Sequence, residues 1–156
     1  MFMDFFSDSD ILVPVPGSEA HCGGLGTTQV SLCAALLTEG IGGSVWAGLT
    51  RAHAVRKSAT SPHGRRPTIK DHFESFAIER SQDFPSLGRV VLIDDVVTKG
   101  RTLMAAALRM HESFPDARIR AFAVLRTLGV VPDVNRILDP CVGKIIMRGQ
   151  DVRRVP

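Results

Sequence analysis

The chain of 156 residues lacks the features that would place it in several common classes of protein. No apolar run approaches the roughly 18 residues of a membrane-spanning helix. Its cysteines, Cys22, Cys33 and Cys141, are odd in number and far apart. We therefore expect free thiols in a reducing cytoplasm, and neither a disulfide framework nor a zinc site. The G-x-x-x-x-G-K-[ST] motif is also absent, which excludes a Walker-type nucleotidase.

The composition is that of an ordinary soluble globular protein. Residues 1–8 carry no basic region, so the sequence predicts no secretory signal. The hydrophobic share of 44% and the charged share of 22% suit one domain, residues 1–156, with a real core. The net charge of +3 suits an anionic ligand, but it does not by itself argue for nucleic acid, and no membrane partner is expected.

Strand-like and helix-like segments alternate along the chain, and this order predicts an α/β fold. Helices on both faces of a central, mainly parallel sheet are typical of such alternation. The first helix starts at Thr27 or Thr28, ends before Gly40, and is expected to bury Val30, Cys33, Leu36 and Leu37. Strands are predicted over residues 11–15, 44–49, 73–78, 119–125 and 144–148.

Residues 90–102 are the most informative segment. Val90–Ile93 is a short β-branched and aliphatic run without alternation, which is typical of a strand buried on both faces. Asp94 and Asp95 follow directly. Because buried carboxylates are costly, we expect both at the carboxyl end of this strand, where open α/β sheets bind ligands.

A short loop rich in donors follows the two acids, and then a helix. The loop comprises Thr98, Lys99, Gly100, Arg101 and Thr102. Gly100 permits a positive φ and close backbone approach, and Thr102 is the expected N-cap. One helix face would carry Leu103, Ala106, Ala107, Met110 and Phe114, with an end near Pro115. The loop therefore predicts a phosphate site at a helix N-terminus.

Two further segments are candidates for anion binding. The first strand ends in a Pro-Val-Pro-Gly-Ser turn, where the backbone N–H groups of Gly17 and Ser18 could hold a phosphate; an ordinary Pro-Gly turn is an equal alternative. Residues 51–70 include Arg51, Arg56 and Lys57 and contain no acid. Such a run is either a solvated face or a basic loop that stabilises charge on a leaving group.

Asp94, Asp95, Thr98, Gly100 and Thr102 together resemble the signature of the type I phosphoribosyltransferases. Lys99 stands where that family usually has a small hydroxyl residue. The resemblance implies the fold of that family, a central parallel sheet with a small hood. It also implies a ligand, 5-phosphoribosyl-1-pyrophosphate, with Mg²⁺ bound mainly through that substrate and not by a metal site of the protein. The acid pair would contact the ribose hydroxyls, and the loop 98–102 would cradle the 5′-phosphate.

Other stretches extend the resemblance over about residues 11–128. Arg56 and Lys57 are similar to the pyrophosphate-contacting pair of the orotate-type enzymes, although the further loop lysine of that group is Thr60 here. Residues 13–18 look like the first strand and pyrophosphate loop of the amidophosphoribosyl and ComF-like branch.

The leading hypothesis is therefore a phosphoribosyltransferase that transfers phosphoribosyl to a base or amine with release of pyrophosphate, as a possible homodimer. The alternative keeps the fold without the chemistry: a regulatory or DNA-uptake-associated protein that binds phosphoribosyl pyrophosphate or a nucleotide. Thr60 and Lys99 favour that alternative somewhat. A two-component receiver domain also has an acid pair after its first strand, but it leaves the long section before Asp94 unexplained.

Overall fold

The structure is a computed structural model, and it describes residues 4–18, 28–55, 66–79, 87–127 and 140–155. Helices and strands alternate through these ranges, with short connections. The elements are β1 (Ile11–Pro14), α1 (Thr28–Thr38), β2 (Ser44–Val45), β3 (Leu49–Arg51), α2 (Ile69–Ser75), β4 (Phe76–Ile78), β5 (Arg89–Val97), α3 (Arg101–Ser113), β6 (Arg118–Arg126), β7 (Lys144–Arg148) and β8 (Asp151–Val155).

Parallel pairing joins strands from distant parts of the chain into a central sheet, in the order β2-β1-β5-β6. Two antiparallel pairs lie outside it: β3 with β4, and β7 with β8. Parallel neighbours need crossover connections, and helices supply them in the described ranges. The predicted α/β class with a central parallel sheet is thus confirmed. No helix in the described ranges is long and apolar enough to span a membrane.

The central strands are buried on both faces, as their unbroken apolar runs predicted. On one face Leu12, Val91 and Ile93 pack with Cys33 of α1. On the other face a larger cluster of buried residues joins strands β1 and β5 to helix α3; it includes Val13, Val15, Val90, Leu92, Leu103, Ala106 and Met110. Because side chains alternate along a strand, one strand serves both clusters.

Two predicted strands are wrong in extent. Residues 44–49 do not form one strand: β2 ends at Val45, and β3 begins at Leu49 in a separate ribbon. Residues 46–48 between them belong to neither strand, and at Gly48 the chain passes so close to the Trp46 ring that an added Cβ would lie 2.1 Å from it. Residues 73–78 begin as helix α2, because Thr68 and Asp71 form a capping box that starts a helix. Only Phe76–Ile78 is strand.

Three finer predictions also need correction. Strand β5 does not end at the acid pair but continues to Val97, because β6 pairs with it throughout. Thr102 is not the N-cap of α3; that position belongs to Gly100. Leu37 is 38% exposed, since the edge strand β2 has only two residues and covers little of the last turn of α1.

Candidate functional site

The acid pair lies beside an open edge of the sheet. Strand β1 ends at Pro14, opposite Ile93, whereas β5 continues beside β6 and places Asp94 opposite Ala123. Strand β1 therefore pairs with β5 only as far as Ile93, and Asp94 and Asp95 have no partner in β1. This is the carboxyl edge of the parallel sheet, where ligands of open α/β folds bind.

Gln29 joins the two carboxylates. Its Nε2 lies 3.4 Å from Oδ1 of Asp94 and 3.3 Å from Oδ1 of Asp95. Backbone donors add to these contacts: the N–H of Asp95 donates to Asp94 at 3.0 Å, and that of Val96 donates to Asp95 at 2.8 Å. These donors explain how the strand tolerates an acid pair before its end.

The environment of Asp94 disfavours its charged form. Asp94 is only 8% exposed. Burial raises the pKa of Asp94 to about 7, and the hydrogen bond and charge of the neighbouring Asp95 add to that effect. The backbone N–H of Asp95 and the Gln29 amide act in the opposite direction. Near neutral pH the site therefore favours the neutral form of Asp94 more than an exposed position would.

Helix α3 starts from a glycine in the left-handed region. Gly100 has φ 91° and ψ 15°, and it is the N-cap. The first helical bond runs from the N–H of Met104 to the carbonyl of Gly100, at 2.9 Å. By helix geometry, the N–H groups of the preceding residues 101–103 have no acceptor within the helix. The positive end of the helix dipole adds to their preference for an anion.

An open pocket connects Asp94 with this helix start. Asp94, Arg66 and the run 96–103 line this pocket. The structure therefore brings together Asp94 and all five residues predicted for the phosphate loop. Asp95 is adjacent to this lining and shares the Gln29 contact.

The two cations of the loop contact the C-terminal hairpin. Arg101 makes a bidentate pair with Asp151 of β8, at 2.7 and 2.8 Å, and Lys99 Nζ lies 3.5 Å from the same carboxylate. Arg101 also donates to the carbonyl of Pro67 at 3.3 Å. The hydrogen bond between Asp151 and Arg101 holds the pKa of Asp151 well below its ordinary value. The same bond raises the pKa of Arg101. Asp151 thus partly neutralises the positive charge at the pocket.

The turn after β1 lies at the same edge. The N–H of Val15 donates to the carbonyl of Ile93 at 2.9 Å, which places Gly17 and Ser18 just beyond the strand beside Asp94. Neither residue is part of the pocket lining described above. Arg56 and Lys57 lie outside the described residues.

Two residues of this region were absent from the predicted site. Gln29 and Cys33 are the two buried residues of α1, and they lie four positions apart. This i, i+4 spacing places Gln29 on the same helix face as Cys33, and it was the signal that could have predicted its burial. Arg51 was seen only as part of a basic run, and nothing in that run distinguishes it from its neighbours. Its burial comes from the pairing of β3 with β4.

The two carboxylates suit a cation that is brought by a ligand. Within the described ranges, no three His, Cys, Asp or Glu side chains are grouped so as to hold a metal ion. Mg²⁺ keeps several waters and is commonly bound by one or two carboxylates together with substrate phosphates. Asp94 and Asp95 fit that arrangement.

Comparison of the chain with protein-family models, with curated proteins and with solved structures found no match. The class that the fold and the site define is thus an α/β protein with an acid pair and a helix N-terminus at the carboxyl edge of its parallel sheet.

Proposed function

We propose that this protein is a phosphoribosyltransferase of type I fold. It uses 5-phosphoribosyl-1-pyrophosphate and Mg²⁺, transfers the phosphoribosyl group to a base or amine nitrogen, and releases pyrophosphate. The observation that supports this most is the pocket joining Asp94 to the glycine-led start of α3. Asp94 can then bind the hydroxyls of a ribose 5-phosphate, while the start of α3 binds the phosphate of the same molecule.

In this proposal the residues mainly position and stabilise charge. The acceptor nitrogen bonds to C1 of the ribose as the bond from C1 to the pyrophosphate oxygen breaks, and the electron pair leaves with pyrophosphate. Asp94 and Asp95 hold the ribose hydroxyls, and residues 98–102 hold the 5′-phosphate. Gly17, Ser18, Arg56 and Lys57 bind the leaving pyrophosphate. If Mg²⁺ enters with the substrate, it would supply charge neutralisation at the pyrophosphate.

The hairpin β7–β8 is the candidate for the hood. Ile145 of β7 is the side chain nearest to Gly100, and Asp151 of β8 binds Arg101. Arg154 of β8 also donates to the carbonyl of Val97 at 2.9 Å. These contacts attach the hairpin to the segment 97–101 beside the pocket, and this attachment supports its assignment as the hood.

A second candidate is a protein that binds the same ligand without turnover, in regulation or in association with DNA uptake. The observation in its favour is the engagement of both loop cations by Asp151. A ligand phosphate must compete with that carboxylate, which suits a sensor whose hairpin responds to binding.

The test is calorimetry with phosphoribosyl pyrophosphate, with and without Mg²⁺, followed by a screen for pyrophosphate release over bases and amines. We expect Mg²⁺-dependent binding and release with at least one acceptor. Binding without release supports the second candidate. No binding at millimolar ligand removes both.

A matched pair of variants connects the result to the site. Replacing Asp94 and Asp95 together by Asn is expected to lower turnover about a hundredfold or more with the fold intact, because the ribose loses both carboxyl groups that would accept from its hydroxyls. Asp116→Asn, in the exposed turn after α3, is the control and should leave turnover unchanged. Unchanged turnover in the double variant would exclude the assigned role.

A further inference from the structure

Arg51 is a buried cation beneath the turn that follows β1. It is the last residue of β3 and is 4% exposed. Burial lowers the pKa of Arg51 to about 10, while the charge of Asp94 acts in the opposite direction. The guanidinium therefore stays charged at neutral pH and lies within electrostatic reach of the acid pair.

Each nitrogen of the guanidinium donates a hydrogen bond, and its carbon lies over an aromatic ring. Its Nε donates to the carbonyl of Gly17, and its Nη2 donates to the carbonyl of Pro16 at 3.2 Å. Its Nη1 donates to the hydroxyl of Ser75, and its carbon lies 4.3 Å from the ring centre of Phe76. These contacts offset the cost of burying a charge, and they fix the planar fork in one orientation.

Two successive carbonyls of the turn therefore point at one cation. Ser18 extends the arrangement, since its carbonyl accepts from the N–H of Val55 at 2.8 Å. The described peptide bonds are trans, so the N–H across each peptide plane points opposite to the carbonyl. The N–H groups of Gly17 and Ser18 consequently point away from Arg51.

Among the described residues, none fills the space beside Gly17 on its Cβ side. An added Cβ at Gly17 would meet no described atom within 4 Å. Neighbouring backbone N–H groups that face away from the protein can bind an anion, and a buried positive charge behind them favours that binding.

We propose that Arg51 is a positioning residue for pyrophosphate: it holds the carbonyls of Pro16 and Gly17 so that the N–H groups of Gly17 and Ser18 face the ligand. Arg51 acts through the backbone and contacts no ligand atom, because it is buried beneath the turn. The inference rests on the proposed function for the identity of the anion. It adds a residue of β3 to a site otherwise built on β1, β5 and α3.

The experiment separates the two halves of the ligand. Wild type and Arg51→Lys are each titrated, in the presence of Mg²⁺, with inorganic pyrophosphate and separately with ribose 5-phosphate. In the proposed site, ribose 5-phosphate is bound only by the acid pair and residues 98–102. Lys keeps the charge but cannot hold two carbonyls with one planar fork. We expect pyrophosphate binding to weaken about tenfold, as for the loss of one charged hydrogen bond, and ribose 5-phosphate binding to change less than about twofold.

Arg109→Lys is the matched control. Arg109 donates to the carbonyl of Phe73 at 2.8 Å and stacks 4.0 Å from that ring, so it makes the same two kinds of contact away from the turn. It should alter neither affinity. If Arg51→Lys does not fold, Ser75→Ala removes one acceptor of the guanidinium without adding bulk. We expect it to weaken pyrophosphate binding about threefold and to spare ribose 5-phosphate.

Equal weakening of both ligands would assign Arg51 a general structural role and overturn the proposal. Failure of the wild type to bind pyrophosphate overturns it too, even where ribose 5-phosphate binds and the rest of the proposed site stands. Conversely, selective loss of pyrophosphate binding supports the role of Arg51 even if no acceptor yields turnover.

Discussion

Asp151 and Arg101 form a bidentate ion pair between the C-terminal hairpin and the first residue of α3, with contacts of 2.7 and 2.8 Å. Arg101 is one of the two cations of the candidate phosphate loop, and the other, Lys99, lies 3.5 Å from the same carboxylate. A ligand phosphate at the helix start must therefore share both cations with a carboxylate of the protein. Asp151 sets how much positive charge the pocket offers.

Replacing Asp151 by Asn should strengthen binding of ribose 5-phosphate roughly threefold to tenfold, because Arg101 and Lys99 are released toward the ligand. The cost in stability should stay below about 1 kcal/mol, since the carboxylate is 43% exposed and screened by solvent. Titration calorimetry measures the affinity. Glu112→Gln, which removes an exposed partner of Arg109 on the same helix, is the control. Weaker binding in Asp151→Asn would mean that Asp151 orients Arg101 for the ligand.

Asp94 makes the stability of the protein depend on pH. Its pKa is raised by burial to about 7, so between about pH 4 and 7 the folded chain keeps a proton that the unfolded chain has released. Stability from this group therefore falls as the pH rises through that window. Asp94→Asn should remove the loss and raise the free energy of unfolding at pH 8 by at least about 1 kcal/mol, with little gain at pH 4.

Urea unfolding of wild type and variant at both pH values measures this difference. Asp116→Asn supplies the exposed control, with no pH-dependent gain expected. A gain of equal size at pH 4 and pH 8 would show that the ionisation of Asp94 is not its source.

Asp10 joins the N-terminal segment to the sheet. It is fully buried and accepts from Arg89 at 2.9 Å and from Arg120. Burial raises the pKa of Asp10, but its bonds with Arg89, the Ser7 N–H and Arg120 outweigh that effect, so the net shift is downward. Asp10→Ala should cost about 2–3 kcal/mol, because it removes a charged acceptor from each of two partly buried arginines.

The cost should be full near neutral pH and fade as the pH falls through the acidic range, since the lowered pKa stabilises the fold only while the carboxylate is ionised. Thermal unfolding measures it against Asp8→Ala, an exposed acid in the same segment. A difference between the two variants of less than about 0.5 kcal/mol at neutral pH would contradict this prediction.

Gly100 carries the sharpest steric requirement at the site. Its φ is 91°, and an added Cβ would lie 2.7 Å from Cδ1 of Ile145. Gly100→Ala should therefore destabilise the protein by about 1–3 kcal/mol through backbone strain and displacement of the hairpin. Gly88→Ala is the control, since its added Cβ meets nothing within 4 Å. Urea unfolding measures the difference, and equal unfolding midpoints for Gly100→Ala and Gly88→Ala would exclude backbone strain at position 100.

Local patterns were enough to predict much of the fold. The unbroken apolar run at Val90–Ile93 indicated a strand buried on both faces, and the parallel sheet confirms it. Segments 119–125 and 144–148 likewise correspond to β6 and β7. The strands over 44–49 and 73–78 were wrong because a close approach at Gly48 and a capping box at Thr68 override the apolar pattern.

By itself the sequence determined which strand is buried on both faces, the position of the acid pair after an apolar run, and the freedom of Gly100 to adopt a positive φ. These follow from short-range sterics and from the cost of burying charge. Only the tertiary structure decided which polar groups meet. The contacts of Gln29 with both acids span 65 and 66 residues, that of Arg51 with Gly17 spans 34, and that of Arg101 with Asp151 spans 50. Contacts at such separations depend on strand order and register, which no local pattern encodes.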